Sequence, residues 1–137
     1  MATDRERWEL LWSAYLRFYR ARLDPAVTDA TWSRLVDPTQ QPHGLVAELD
    51  GRLVGFAHYL FHRSSWQAEE SCYFEDLFVA EDVRGSGIAR RLMQAVFDAA
   101  EAAGAAKVYW LTQQFNAPGR ALYDTLGRLT SFVVYER

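Results

Sequence analysis

Apolar positions recur every three or four residues near the start of the chain and every two residues through its middle. Trp8, Leu11, Trp12, Tyr15, Phe18 and Tyr19 keep the helical interval, and Thr3 followed by Glu6 has capping-box spacing, so the first predicted element is a helix. A second, shorter helix is predicted from near Asp29, with Trp32, Leu35 and Val36 on one side and a stop at Asp37-Pro38. The chain to His43 reads as loop. Residues 45–49 and Arg52–His62 are β-type runs separated by Asp50-Gly51, a pair that tolerates the positive φ angles of a tight hairpin turn. After a polar loop around Trp66, residues 72–79 form a third run whose aromatic and β-branched content suits a central strand.

Helical periodicity returns over residues 87–103, with Ile88, Leu92, Val96, Ala99 and Ala103 on one stripe and Gly104 as the stop. Residues 107–112 predict a strand, 118–126 a short helix ended by Gly127, and 131–136 a last strand. This order predicts an α/β fold with a mixed sheet, antiparallel at first and then joined through a crossover helix. With 137 residues and no repeat or linker, one domain over 1–137 is expected.

Composition narrows the function classes. No apolar run approaches the roughly 18–20 residues of a bilayer span, and Asp4, Arg5, Glu6 and Arg7 leave no apolar signal-peptide core. A cytoplasmic protein without membrane contact is the expectation. One cysteine makes no internal disulfide, and three scattered histidines give no zinc spacing, so no metal is predicted. A net charge of −3 argues against nucleic acid as a partner.

The chemistry concentrates at residues 83–89, V-R-G-S-G-I-A, between a predicted strand and a long helix. Glycines there let the backbone turn tightly and present successive N–H groups to an anion, and the helix dipole adds positive potential. Arg84, Arg90 and Arg91 lie on or beside it as further phosphate donors. The same pattern also fits an ordinary glycine turn capping a helix. Arg90 stands where a dinucleotide fingerprint needs its third glycine, and no Gly-Lys-Ser/Thr is present for a nucleoside-triphosphate loop.

What remains, R-x-x-G-x-A from Arg84 to Ala89, resembles the acetyl-CoA signature Q/R-x-x-G-x-G/A of the GCN5-related N-acetyltransferases. The run F-E-D-L-F-V from Phe74 to Val79 resembles that family's fourth strand. The segment N-A-P-G-R-A-L-Y-D-T-L-G from Asn116 to Gly127 resembles its C-terminal motif. Within the family, the likeness is to diamine acetyltransferase-like and small Hpa2-like members. The resemblance implies acetyl-CoA as co-substrate, with Leu77, Phe78 and Val79 holding the pantetheine arm. It implies Gly85, Ser86, Gly87, Ile88, Ala89 and Arg90 on the pyrophosphate, and Asn116 near the thiol end.

It further implies transfer of acetyl to the primary amine of a small molecule by direct attack. Tyr123 is the implied acid for the departing thiolate, although spacing alone favours a core tyrosine. Glu75 is the expected base, read as a buried carboxylate flanked by Phe74 and Phe78 and sharing a strand face with Leu77, with Asp76 opposite. An exposed strand-edge carboxylate is the alternative reading. Acylation of a protein N-terminus or lysine, and a non-catalytic acyl-CoA-binding domain, are the alternatives. His58 and His62, four apart in a strand, are expected to face one side without forming a metal site. Cys72 is expected to pack as a small apolar residue, and Trp66 to wall a pocket or meet a second copy.

Three departures from the family pattern matter. The strand that usually precedes helix one is missing, and a single apolar strand ends the chain where many relatives have a hairpin. Arg17, Arg20 and Arg22 stand where diamine-acetylating relatives carry acidic groups, which disfavours a polyamine. A sheet short at both ends predicts a homodimer that covers Phe132, Val133, Val134 and Tyr135.

Overall fold

Trp8, Leu11 and Trp12 bury one side of the first helix, and the rest of the chain is arranged so that a sheet can receive them. The computed structural model describes residues 4–137; the predicted capping pair at Thr3 lies outside the described residues. Helix α1 spans Arg5–Phe18, and Tyr19 follows as its C-cap. Helix α2 spans Pro25–Leu35, starting earlier than the predicted Asp29. The reason is local: the Asp24 side chain accepts the Ala26 N–H at 2.9 Å, and Pro25 has the fixed φ of a first helical residue.

Strands β1 (His43–Leu49) and β2 (Arg52–His62) form the expected hairpin, with Asp50 and Gly51 both at positive φ, 51° and 77°. Strand β3 is Ser71–Val79; a short turn at Glu81–Val83 leads to helix α3, Ile88–Ala102. Strand β4 covers only Lys107–Trp110, and helix α4 is Ala117–Leu126. The sheet order is β1-β2-β3-β4, antiparallel in its first two pairings and parallel between β3 and β4. A mixed sheet flanked by helices is the observed architecture.

Each face of the sheet carries its own core. Toward α3, Ala57, Tyr59, Cys72, Phe74 and Val79 pack with Leu92, Met93, Val96 and Ala100. Toward α1, Leu53, Phe56 and Phe78 pack with Trp8, Leu11 and Trp12. Each buried Leu, Val, Phe or Met among them contributes about 1.5–3 kcal/mol. The buried stripe of α3 differs slightly from its predicted one: Met93 and Ala100 are buried, and Ala103 lies past the helix end, exposed.

The last predicted strand, 131–136, does not form. A strand exists only by pairing, and this segment pairs with nothing in the sheet; Phe132 and Tyr135 are 88% and 92% exposed. Helix α1 does not cover it either, since α1 lies on β2 and β3. Among the described residues no helix is long and apolar enough to cross a membrane.

Candidate active site

The sheet opens beside the motif-bearing segments. Strand β3 stays paired to β2 as far as Val79, but its pairing to β4 ends at Phe74 opposite Trp110. From residue 75 onward, β3 therefore offers one free edge of backbone donors and acceptors, suited to an extended chain laid alongside it. Leu77, Phe78 and Val79 all lie on this open stretch.

At the end of that edge the chain turns through Gly85 and Gly87, at φ 84° and 85°, into the N-terminus of α3. Both angles are strained for any residue with a Cβ. Among the described residues no group accepts the N–H of Gly85, Ser86, Gly87, Ile88, Ala89 or Arg90; the first bond of the helix is Arg91 N–H to Gly87 O, 3.1 Å. Six successive free donors at the positive end of a helix fit a pyrophosphate.

The side chains of the turn have other partners. Ser86 donates its hydroxyl to Val83 O. Arg84 Nε donates to Val79 O at 3.0 Å, its guanidinium lying over Phe18 and Phe78 at 5.6 and 5.4 Å. Arg90 donates to Thr125 Oγ1 at 2.8 Å, tying α3 to α4. The cradle is thus made of backbone.

Gly55, which the sequence reading passed over, sets its depth. A Cβ there would meet Leu92 Cδ1 and Phe78 O at 3.0 Å, so the missing side chain lets α3 close down on β2 beside the fork. A lone glycine inside a β run was the available signal.

Tyr123, on α4, packs its ring edge-on against Trp110, the last paired residue of β4, with centroids 5.7 Å apart. Its hydroxyl makes no hydrogen bond among the described residues. Burial, with the Tyr19 phenol adding to it, holds that hydroxyl above the ordinary phenol range, so it is protonated at neutral pH. Asn116 caps α4: its Oδ1 accepts the Gly119 N–H at 3.3 Å and its Nδ2 donates to Thr112 Oγ1 at 2.9 Å. Gly119 is small because Asn116 occupies the space of its missing Cβ.

Glu75 departs from its expected setting. It is exposed, not buried, and it sits in a β-bulge: His58 pairs with Asp76 and Tyr59 with Phe74, leaving Glu75 without a partner on β2. The bulge breaks the simple alternation, so Phe74 and Leu77 both join the α3 core and Asp76 turns toward α1. The lower part of Glu75 is still crowded. Desolvation first, then the charge of Asp76, raises its carboxyl above the usual range.

The two histidines share one face of β2, as expected, but stand apart along the strand. His58 is 1% exposed under α1, whereas His62 Nε2 meets the Tyr109 hydroxyl at 2.6 Å near the other end of β2. Among the described residues no three His, Cys, Asp or Glu side chains group to hold a metal. Cys72 is fully buried and its thiol is pushed up to about 11 by burial, which keeps it protonated. Trp66 is 93% exposed. A cleft of about 490 Å³ lined by Glu69, Phe97, Glu101 and Lys107 opens at the far end of α3, remote from the turn.

A forked sheet whose free strand edge ends in a backbone anion cradle defines a protein that holds a long, phosphate-bearing chain with its reactive end at the fork. Residues 6–127 match the acetyltransferase (GNAT) family. The chain is 38% identical to D-amino-acid N-acetyltransferase HPA3 of Saccharomyces cerevisiae, covering 98% of this chain and 84% of that one. It is 30% identical to the uncharacterized N-acetyltransferase YhfO of Bacillus subtilis, over 91% and 85% of the two chains. Among solved structures, a ribosomal-protein-alanine N-acetyltransferase from Brucella melitensis biovar Abortus 2308 superposes with TM-score 0.80 at 24% identity, covering 99% and 94%. Aminoglycoside N-acetyltransferase AAC(6')-Iy in complex with CoA gives TM-score 0.84 at 19% identity, covering 98% and 88%. The chain belongs to the GNAT family; it is an N-acetyltransferase, and acetyl-CoA is its co-substrate.

Proposed function

We propose that the enzyme acetylates the primary amine of a small carboxylate-bearing acceptor, an amino acid, with Glu75 and Tyr123 moving the protons. The observation that carries this reading is the fork itself: Glu75 and Trp110, against which Tyr123 packs, flank the point where β3 and β4 part. Acetyl-CoA supplies an activated thioester. The free edge at Leu77, Phe78 and Val79 is assigned to its pantetheine arm, and the donors from Gly85 to Arg90 to its pyrophosphate. Arg84 and Asn116 complete the donor side by holding the strand end and the start of α4.

Glu75 removes a proton from the incoming ammonium, directly or through water, a task its raised carboxyl suits. Tyr123 gives its proton to the departing thiolate. Cys72, buried and protonated, takes no part.

The acceptor class follows from charge. Arg17, Arg20 and Arg22 leave the end of α1 next to Tyr19 with no ion pair among the described residues, which favours a carboxylate and repels a polyamine. The relative that acts on D-amino acids agrees. A panel of D- and L-amino acids, diamines and peptides with acetyl-CoA, followed by thiol release, tests this. Amino acids are expected to turn over; acetylation of peptides or diamines alone would overturn it.

We further place residues 1–137 in one cytoplasmic domain acting without nucleic acid or membrane, as a homodimer that buries Phe132, Val133, Val134 and Tyr135. Light scattering should give twice the 15.8 kDa chain mass, falling on Val134→Lys; a mass of one chain overturns the dimer.

A further inference from the structure

Beneath α1, next to the bulge, a line of polar side chains crosses an aromatic core. Trp8 Nε1 donates to His58 Nε2 at 3.3 Å; an indole N–H only donates, so His58 carries its proton on Nδ1. That proton is given to Asp76 Oδ2 at 3.1 Å, and the Tyr15 hydroxyl donates to Asp76 Oδ1 at 2.7 Å. Both oxygens of Asp76 are therefore fixed, one from β2 and one from α1. Phe56 stacks on the His58 ring at 4.7 Å between centroids, which leaves the imidazole no room to turn.

His58 and Asp76 are also the register pair on one side of the bulge, and Glu75 is the residue it displaces. We infer that Asp76 is a positioning residue for acetyl transfer: gripped by His58 and Tyr15, it pins the bulge that aims Glu75 and imposes the field in which Glu75 works. This rests on Glu75 being the base. An unanchored Asp76 would let β3 return to regular pairing, carrying Glu75 away from the fork.

The titratable groups around Glu75 are Asp76 and Tyr73 on its own strand, His58 on β2 and Tyr15 on α1. The charge of Asp76 opposes ionisation of Glu75. Its two hydrogen bonds moderate that repulsion.

The test is a carboxyl-carbon NMR titration of the full chain, with the Glu75 signal identified by its loss in Glu75→Gln, beside steady-state kinetics. Asp76→Asn keeps the shape and removes the charge. It should lower the Glu75 midpoint by about one pH unit, the scale of a neighbouring charge. It should also reduce kcat by about 10-fold or more through misplacement, with acetyl-CoA affinity unchanged.

Tyr15→Phe removes a donor and keeps the charge, so it should raise the midpoint; it also stands alone if Asp76→Asn does not fold. Opposite shifts support the proposal, whereas unmoved midpoints or shifts of one sign overturn it. Undiminished kcat in Glu75→Gln would overturn the base assignment separately, because the midpoints are measured without turnover.

Discussion

The donor side and the acceptor side of the fork are built from different materials. Around the turn at residues 84–90, the groups that face solvent are backbone N–H donors, while the side chains of Arg84, Ser86 and Arg90 bond back into the protein. Under α1 the reverse holds: the strand backbone is paired, and Trp8, Tyr15, His58 and Asp76 do the work with their side chains, inside a stack that includes Trp12 and Phe56. A site made of backbone depends on φ angles and tolerates most side chains. A site made of side chains depends on each of them, and on the packing that keeps them still.

The largest effect should come from that packing. Phe56 is fully buried between α1 and the sheet, and Phe56→Ala should cost about 3–5 kcal/mol in denaturant unfolding. A loss below about 1 kcal/mol would show that the α1 side does not carry the stability attributed to it.

Tyr123→Phe probes the meeting point of the two sides. It should lower kcat by roughly 10²-fold, with acetyl-CoA affinity unchanged. In the parent, the high phenol pKa should hold activity up past pH 10, the ordinary tyrosine value, before a basic fall. That fall should disappear in the variant. Unchanged kcat would return Tyr123 to packing against Trp110.

Gly87→Glu attacks the backbone cradle alone. A Cβ at this position meets nothing within 4 Å, so stability should change little beyond about 1–2 kcal/mol of φ strain. Calorimetry should nonetheless show acetyl-CoA binding weakened by about 100-fold, from distorted donors and a carboxylate facing phosphate. Binding as tight as the parent would remove the cradle assignment.

The smallest effect should be Ser86→Ala. It deletes a hydroxyl bonded to Val83 O and keeps the free N–H, so acetyl-CoA affinity should move by less than about threefold. A large loss would mean that side chains, not backbone, make the donor side.

The geometry of the turn at residues 84–90 was readable in the amino-acid order, because glycines at fixed offsets from a helix start report φ angles and free donors directly. The hairpin at Asp50-Gly51 and the limits of β2 were legible for the same reason: local chemistry decides them. The start of α2 is also written locally, in Asp24-Pro25.

What tertiary structure alone decided is how β3 is paired. Strict alternation put Glu75 with Leu77 and left Asp76 opposite, yet the register with β2 skips Glu75 and sends Asp76 to Tyr15, sixty-one residues away in the chain. A bulge belongs to two strands at once, and no single run of residues encodes it. The apolar segment 131–136 has strand composition and no strand, because a strand also needs a neighbour, and β4 ends after four residues without meeting it. Sequence determined the glycine turn and its free backbone donors; pairing and packing decided which carboxylate points where.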